Sequence, residues 1–214
     1  MEAVEIETGS PPQAAILWLH GLGADGHDFE PIVPELRLAK PVRFVFPHAP
    51  VRPVMINQGM RMRAWYDIFQ FGGGREDDKG IRESQALIEK MIAEEVKRGI
   101  PESKIVLAGF SQGGAIVLQT ALRHPKRLAG VMALSTYLPL AATLTAERNA
   151  ANAQTPIFMA HGQYDDIIPV QRAVQSRDFL EKSGYRVEWH EYPMPHSVCG
   201  EEVQDISAWL TKLL

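Results

Sequence analysis

The pentapeptide Gly109-Phe110-Ser111-Gln112-Gly113 constrains this chain more than any other segment. It lies between a strand-like apolar run, Lys104 to Ala108, and a helix-like amphipathic run, Gln112 to Arg123. Small residues two places on either side of Ser111 let a strand and a helix approach closely around a sharp turn, which exposes the serine hydroxyl above the sheet. The context predicts a nucleophilic serine, although a glycine-rich turn with an N-cap serine has the same local pattern.

Short apolar runs alternate with longer amphipathic runs along the 214 residues. The candidate strands are Ala14 to Leu19, Val42 to Phe46, Lys104 to Ala108, Leu128 to Leu134, Ile157 to Ala160 and Arg186 to Trp189. The candidate helices are Phe29 to Leu38, Ile81 to Lys97, Gln112 to Arg123, Val170 to Lys182 and Glu201 to Leu213. This alternation predicts an α/β fold with a mostly parallel central sheet flanked by helices. No repeat or linker divides the chain, so we expect one domain over residues 1–214.

Two stretches lack a regular pattern, Pro47 to Gly80 and Thr136 to Gln154, and long connections of this kind often form binding loops or lids. The second stretch is too short for a large lid domain, so we expect an open site. The first stretch contains Met and aromatic side chains that either line an apolar groove or pack beneath a long loop. These are Met55, Met60, Met62, Trp65, Phe69 and Phe71, followed by Gly72, Gly73 and Gly74.

The composition limits the classes of function. A 45% hydrophobic and 22% charged chain is typical of a globular protein, and a net charge of -4 without a Lys/Arg run disfavours nucleic acid as a ligand. The acidic N-terminus lacks the pattern of a signal peptide, and no apolar run reaches about 18 residues. We therefore expect a cytoplasmic protein without stable membrane insertion. Cys199 is the single cysteine, which excludes an intramolecular disulfide and a thiolate metal cluster.

A nucleophilic serine needs a base that accepts its proton, and the base needs a carboxylate that orients it. On an α/β scaffold with this turn, the chain order is serine, acid, histidine. Among the histidines after Ser111, His124 ends the predicted elbow helix, His161 ends a strand before any acid, and His190 falls in or beside the last strand. His196 follows that strand on a proline-fixed loop, so we predict that it is the general base.

The candidate acids are Asp165 and Asp166, which directly follow the predicted strand Ile157 to Ala160. Spacing alone does not choose between them, because adjacent loop residues point in different directions. The other carboxylates between Ser111 and His196 lie within regular elements or on the wrong side of a strand; they are Glu147, Asp178, Glu181, Glu188 and Glu191.

An acyl-transfer site also needs hydrogen-bond donors for the negatively charged oxygen of the tetrahedral intermediate. One is expected from the backbone N–H directly after the nucleophile, which belongs to Gln112. The other comes from the turn after an early strand, and we assign it to Leu22 in Trp18-Leu19-His20-Gly21-Leu22-Gly23.

Four blocks together resemble the phospholipase/carboxylesterase family, which includes the acyl-protein thioesterases. They are Trp18 to Gly26, Gly109 to Ala115, His161 to Asp165 and Tyr192 to His196. The resemblance implies an α/β-hydrolase fold and a serine carboxylesterase that acts on carboxylic esters, thioesters or lysophospholipids without a cofactor or metal. It also implies that the acid is Asp165, and it supports Leu22 and Gln112 as oxyanion donors.

The segment Trp65-Tyr66-Asp67-Ile68 is similar to the part of that family beside the acyl pocket. The resemblance thus places Trp65 beside the acyl pocket, and we assign Trp65 and the nearby Met62, as a candidate groove residue, to substrate binding. It implies a small-molecule ester or acyl substrate, and it is compatible with a homodimer.

Three other hypotheses compete with this interpretation. Gly21-Leu22-Gly23-Ala24-Asp25-Gly26 satisfies a dinucleotide-binding fingerprint, but Asp25 would place negative charge at the pyrophosphate, and the next strand ends in Pro47-His48 without an acidic ribose partner. The second hypothesis is a metal site formed by four polar residues, which match no complete ligand spacing. They are His20, Asp25, His27 and Asp28. The third is a non-catalytic binding protein on a hydrolase scaffold.

Overall fold

The computed structural model of the protein describes residues 1–70 and 74–214. The strands are β1 Ala3–Glu7, β2 Ala14–Leu19, β3 Val42–Pro47, β4 Val51–Val54, β5 Met60–Arg63, β6 Ile105–Phe110, β7 Gly130–Leu134, β8 Ile157–Gly162 and β9 Val187–Tyr192. Across these ranges, seven of the strands form one sheet in the order β1-β3-β2-β6-β7-β8-β9. Neighbours from β3 to β9 run parallel, and only β1 is antiparallel to its partner. The predicted α/β class with a mostly parallel sheet is confirmed.

All six predicted strands are present in the sheet, β2 with the predicted ends and the other five with shifted ends, whereas the edge strand β1 was not predicted. The stretch from Pro47 to Gly80 is more regular than expected. In it, β4 and β5 form an antiparallel hairpin whose turn places Gln58 and Gly59 at positive φ, 56° and 76°. The expectations for Phe71, Gly72 and Gly73 lie outside the described residues.

The helices are α1 Val33–Leu36, α2 Asp78–Lys97, α3 Gln112–Arg123, α4 Ala141–Glu147, α5 Val170–Lys182 and α6 Gly200–Leu213. The prediction of one helix over Phe29 to Leu38 is wrong: a 3-10 turn, Glu30–Ile32, leads into the single turn of α1. Pro31 and Pro34 explain this, because proline has no N–H to donate inside a helix. None of the helices in residues 1–70 and 74–214 is long and apolar enough to cross a membrane.

The stretch from Thr136 to Gln154 contains α4 and a 3-10 turn, Ala150–Asn152, rather than irregular chain alone. Two short elements of this size do not make a large lid domain, as expected from the spacing of the strands. The site at this end of the sheet is therefore not covered by a separate domain.

Two apolar layers cover the two faces of the sheet, because successive strand side chains point to opposite faces. In β2, Leu17 and Leu19 belong to one layer, while Ile16 and Trp18 belong to the other. Helices α2, α3 and α5 pack on the first layer, and α1 and α6 pack on the second. Every residue of β2 is buried, so the central strands are fixed from both sides.

The parallel strands all end at the same edge of the sheet, and the chain segments that leave this edge carry the predicted site. Leu22 follows β2, Ser111 follows β6, Asp165 follows β8 and His196 follows β9. In open α/β sheets, ligands bind outside the carboxyl ends of the strands. The topology alone therefore brings residues that are far apart in sequence to one place.

Candidate active site

Ser111 occupies a sharp turn between β6 and α3, with φ 54° and ψ -120°. Such a conformation for a non-glycine residue costs on the order of 1–3 kcal/mol and is typical of functional sites. The turn also needs Gly113, because a Cβ there would lie 2.4 Å from the backbone oxygen of Leu19. The Ser111 hydroxyl makes no capping hydrogen bond to α3, which excludes the N-cap explanation for this serine.

Ser111, His196 and Asp165 form a continuous hydrogen-bonded chain. The Nε2 atom of His196 lies 2.9 Å from Ser111 Oγ, and its Nδ1 atom lies 2.6 Å from Asp165 Oδ2. Because an ionised carboxylate can only accept, Nδ1 carries the hydrogen and the Nε2 lone pair faces the serine hydroxyl. The ring of Phe110 packs against the imidazole with 4.7 Å between centroids, and it fixes the plane of His196.

The Asp165 carboxylate receives more donors than His196 alone. The backbone N–H groups of Ile167 and Ile168 donate to Oδ1 at 3.0 and 2.8 Å, and His161 Nε2 lies 3.2 Å from Oδ2. Burial raises the pKa of Asp165, but hydrogen bonds from His161, His196 and Ile168 outweigh it and hold the pKa well below its usual range. The carboxylate therefore stays ionised throughout the neutral pH range.

Asp166, the other candidate acid, points away from this chain of hydrogen bonds. It is exposed, whereas the Asp165 side chain has no solvent-accessible surface. The structure thus brings Asp165 and His196 together and leaves Asp166 in solvent.

His161 was set aside in the sequence as a base, and the structure gives it a different position. Its side chain is fully buried beneath Asp165, and its Nε2 lies 2.7 Å from the backbone oxygen of Ile168. A carbonyl oxygen only accepts, so Nε2 carries the hydrogen and can also donate to Asp165. The four-residue spacing between His161 and Asp165, where the strand passes into the loop, is the feature of the sequence that could have indicated this contact.

The turn that carries Leu22 is held by several hydrogen bonds to neighbouring segments. His20 is buried and neutral, since burial lowers its pKa, and its Nε2 accepts from the backbone N–H of Ala49 at 3.0 Å. The indole N–H of Trp65 donates to the His20 oxygen at 2.9 Å, and the N–H of Gly23 donates to the Arg63 oxygen at 2.9 Å. In the described part of the chain, the Leu22 N–H makes no internal hydrogen bond.

The N–H of Gln112 is likewise available, because the first residues of a helix have no intrahelical acceptor. Its side chain is fixed by two hydrogen bonds: Oε1 accepts from the Trp65 N–H at 2.7 Å, and Nε2 donates to the Tyr66 oxygen at 2.7 Å. Leu22, Ser111 and Gln112 all line one cleft. The residues that carry the two predicted donors therefore line the same cleft as Ser111.

This cleft encloses about 650 Å³, including its open mouth. Trp65 is fully buried, so its ring supports the site from beneath and has no surface for a substrate. Met62 lies in β5 and is not among the lining residues, while Met55 and Met60 are exposed. The stretch contributes Tyr66, Asp67, Ile68 and Phe69 to the cleft instead. The resemblance places the first three beside the acyl pocket, and Phe69 is among the candidate groove residues of the sequence.

The structure also bears on the competing hypotheses. Gly26 is required because a Cβ there would lie 2.3 Å from the Phe46 oxygen, so its backbone packs against β3 and not against a ligand. His20 uses both ring nitrogens within the protein, with Nδ1 2.7 Å from the Gly21 oxygen, and has none left for a metal. Over residues 1–70 and 74–214, no group of three or more His, Cys, Asp or Glu side chains is arranged to hold a metal ion.

Comparison with known proteins identifies the family. The family model described as Phospholipase/Carboxylesterase matches residues 1–214. The chain belongs to this family. Acyl-protein thioesterase 1 of Neurospora crassa is 40% identical over 213 residues, which cover 94% of this chain and 87% of that protein. The sequence resemblance is thus confirmed, and this member of the phospholipase/carboxylesterase family is a carboxylic ester hydrolase.

Solved structures agree with this assignment. SOBER1 of Arabidopsis thaliana is 30% identical with a TM-score of 0.88, and the match covers 93% of this chain and 98% of that chain. Acyl-protein thioesterase 2 of Zea mays is 26% identical with a TM-score of 0.86, and the match covers 99% and 98%. The α/β-hydrolase fold without a large lid is therefore shared with these proteins.

A buried carboxyl lies near the His196 loop, at the start of α6. Glu202 has no exposed surface, and burial raises its pKa from 4.5 to about 8. The backbone N–H of Cys199 offsets part of this increase in pKa, and the charge of Asp205 adds a smaller increase. Between these two values the folded protein retains a proton that the unfolded chain has lost. The free energy of unfolding should therefore fall as pH rises through this range and level off above it.

We expect Glu202→Gln to remove this pH dependence, because the amide has a similar shape and no charge. Between pH 5 and pH 8, wild type should lose up to about 1.4 kcal/mol per pH unit relative to the variant. Urea unfolding at several pH values measures this difference. The matched control is Glu201→Gln, an exposed neighbour, which should keep the wild-type profile; parallel profiles for wild type and Glu202→Gln would contradict the prediction.

Proposed function

We propose that this chain is a serine carboxylesterase, with Ser111 as nucleophile, His196 as general base and Asp165 as the residue that orients His196. One observation carries the proposal: the serine hydroxyl, the imidazole and the carboxylate are joined by contacts of 2.9 and 2.6 Å, and Ser111 lines an open cleft. These are the contacts that make a serine hydroxyl reactive, because the base is already within reach of its proton.

The first half of the reaction transfers the acyl group to the enzyme. His196 Nε2 takes the proton as Ser111 Oγ attacks the ester or thioester carbonyl, and the imidazolium that forms is stabilised by the Asp165 carboxylate. The N–H groups of Leu22 and Gln112 hold the tetrahedral oxyanion; one such donor supplies about 2.7–4 kcal/mol. His196 then protonates the leaving alcohol or thiol, and the acyl group stays on Ser111.

The second half repeats the sequence with water. His196 removes a proton from a water molecule, the resulting hydroxide attacks the acyl-enzyme carbonyl, and the same two N–H groups hold the new oxyanion. His196 returns the proton to Ser111 Oγ as the carboxylic acid leaves. His196 serves as both general base and general acid, so its Nδ1–H must stay directed at Asp165 in both halves of the reaction.

The substrate that we propose is a small-molecule ester or acyl compound. Leu22, Ile68, Phe69, Ile167 and Ile168 give the cleft apolar walls, which suit a hydrocarbon acyl chain. Several relatives are named acyl-protein thioesterase 1, which supports thioesters as a second class beside oxygen esters.

A fluorophosphonate probe tests the mechanism directly. Ser111 Oγ should displace fluoride from phosphorus and leave one stable adduct per chain, because the probe mimics the tetrahedral intermediate. Mass spectrometry of the digested protein should find the adduct on the peptide with Ser111, and His196→Ala should slow its formation by orders of magnitude. Labelling of a different serine, or equal labelling in Ser111→Ala, would overturn the proposal and favour a binding protein on a hydrolase scaffold.

A further inference from the structure

A positively charged side chain lies in the same cleft as Ser111 but takes no part in the proposed reaction. Arg172 is in the first turn of α5, it is half-buried, and it lines the cleft together with Ile168 and Tyr137. Its guanidinium carbon lies 3.3 Å from the centre of the Tyr137 ring. An arginine stacked on an aromatic face is held in one plane. Arg172 also interacts with Tyr137 through a side-chain hydrogen bond, and its remaining N–H donors can bind a ligand.

Arg172 has no carboxylate partner among the described residues, whereas some of the other arginines have one. Within residues 1–70 and 74–214, no carboxylate lies within ion-pair distance of its guanidinium group. Carboxylates do pair with several others, which are Arg43, Arg52, Arg82, Arg98, Arg123 and Arg177. Removing a cation from bulk water without a counter-charge is unfavourable, so a half-buried guanidinium group in a cleft is a suitable partner for an anionic ligand.

The carboxylates that share the cleft are bound elsewhere. Glu76 accepts from the Leu140 N–H at 3.2 and 3.1 Å with its two oxygens. The Asp77 carboxylate accepts from the backbone N–H groups of Asp67 and Gly80. The side-chain carboxylate of Asp67 accepts from the backbone N–H of Met55. Arg75, the other cation of the cleft, lies over the exposed ring of Phe69 at 5.2 Å. These acidic groups keep their charge, and that of Glu76 acts on Tyr137, but they accept from backbone donors and form no ion pair with Arg172. Arg172 is the less exposed of the two cations.

Tyr137 supports the guanidinium group of Arg172 in a fixed position. It is mostly buried, and its hydroxyl lies 2.8 Å from the hydroxyl of Tyr66, which is also buried. Burial raises the pKa of both phenols, so neither tyrosine supplies a negative charge to Arg172 at neutral pH. Arg172 is positioned before any ligand arrives, which lowers the entropy lost on binding.

We infer that Arg172 forms an anion-binding subsite, which holds a carboxylate or phosphate group that the substrate carries away from its scissile carbonyl. The planar fork of N–H donors matches both oxyanions, and the apolar walls of the cleft accommodate the hydrocarbon part. This inference rests on the proposed function, because it describes the substrate that is presented to Ser111. It adds a preference for esters with a distal negative charge over neutral esters of equal length.

Matched pairs of esters test the subsite. The carboxylate pairs are p-nitrophenyl monoesters of dicarboxylic acids of increasing length, each compared with the same ester in which the distal acid is methylated. The phosphate pairs are acylglycerol phosphates compared with the corresponding acylglycerols. For each pair, the measured quantity is the ratio of kcat/KM for the charged substrate to kcat/KM for the neutral one. The two series show whether the carboxylate or the phosphate is the group that Arg172 binds.

We expect a ratio above one for at least one series in wild type, and a fall of about tenfold in that ratio in Arg172→Gln, the scale of one charge-assisted hydrogen bond. Arg172→Lys keeps the charge and should retain part of the preference, which a purely structural role in holding Tyr137 does not predict. The matched control is Arg177→Gln: Arg177 is on the same helix and also stacks on an aromatic ring, Trp189, but does not line the cleft.

The outcomes separate this inference from the proposed function. A wild-type ratio near or below one in both series, an unchanged ratio in Arg172→Gln, or an equal fall in Arg177→Gln would overturn the subsite. None of those results affects the assignment of Ser111, provided that Ser111→Ala abolishes hydrolysis of the neutral esters. Hydrolysis that persists in Ser111→Ala would instead overturn the proposed function.

Discussion

Replacement of Ser111 by alanine is expected to lower kcat for ester hydrolysis by about 10⁴-fold or more, because the variant has no hydroxyl to form the acyl-enzyme. The imidazole, the carboxylate and both oxyanion donors remain in place, so substrate binding should change little. Initial rates on p-nitrophenyl esters from acetate to palmitate measure the effect. Circular dichroism and thermal unfolding should show that the variant folds as wild type does.

Ser135 provides a matched control for this experiment. It is a fully buried serine directly after β7, it also has a positive φ, 46°, and its hydroxyl has no hydrogen-bond partner among the described residues. Ser135→Ala should therefore stay within a few-fold of the wild-type rate. A loss in Ser135→Ala equal to that in Ser111→Ala would mean that the serine-dependent chemistry is not located at the turn between β6 and α3.

Asp165→Asn should lower kcat by about 10³–10⁴-fold, the second largest effect. The amide oxygen can still accept from Ile167 and Ile168, so the loop should keep its shape. The amide nitrogen then faces His196 Nδ1 and donates to it, which favours the tautomer with hydrogen on Nε2. That tautomer has no lone pair directed at Ser111, and the negative charge that stabilises the imidazolium is also gone.

The neighbouring aspartate is the control for this variant. Asp166→Asn makes the same chemical change at an exposed position, and it should stay within about twofold of wild type because Asp166 is directed into solvent. Steady-state kcat and KM for one p-nitrophenyl ester compare the two variants. If Asp166→Asn were the more damaging change, the assignment of the orienting acid would be wrong.

The elements of the sheet could be predicted because its central strands are continuous apolar runs that are buried on both faces. The edge strand β1 was missed because Ala3–Glu7 carries two glutamates and pairs on one side only. The hairpin of β4 and β5 was missed because its residues are half polar, and its one turn signal is Gln58-Gly59. Pro31 and Pro34 indicate, already in the sequence, that residues Phe29 to Leu38 do not form one long helix.

The contact between Ser111 and His196 could be predicted because each was selected by its place in the chain order, while their catalytic roles stay a prediction. Other contacts of the candidate site were not predictable from spacing, because they depend on the direction in which a side chain points. Spacing leaves Asp165 and Asp166 equivalent; the resemblance favours Asp165, and the loop conformation directs only Asp165 to His196. For the same reason, the sequence could not reveal that the Trp65 side chain is buried in the core. Nor could it reveal that Arg172, in helix α5, lines the cleft.

The two hydrogen bonds of the Gln112 side chain have a mechanical consequence. They tie the helix turn that carries one N–H donor to the backbone of Trp65 and Tyr66, which forms a wall of the cleft. A ligand that pushes this wall outward must also displace that donor. If Gln112 is the oxyanion donor that we propose, poorly fitting substrates should be discriminated in turnover more than in affinity, because misfit is transmitted to that donor.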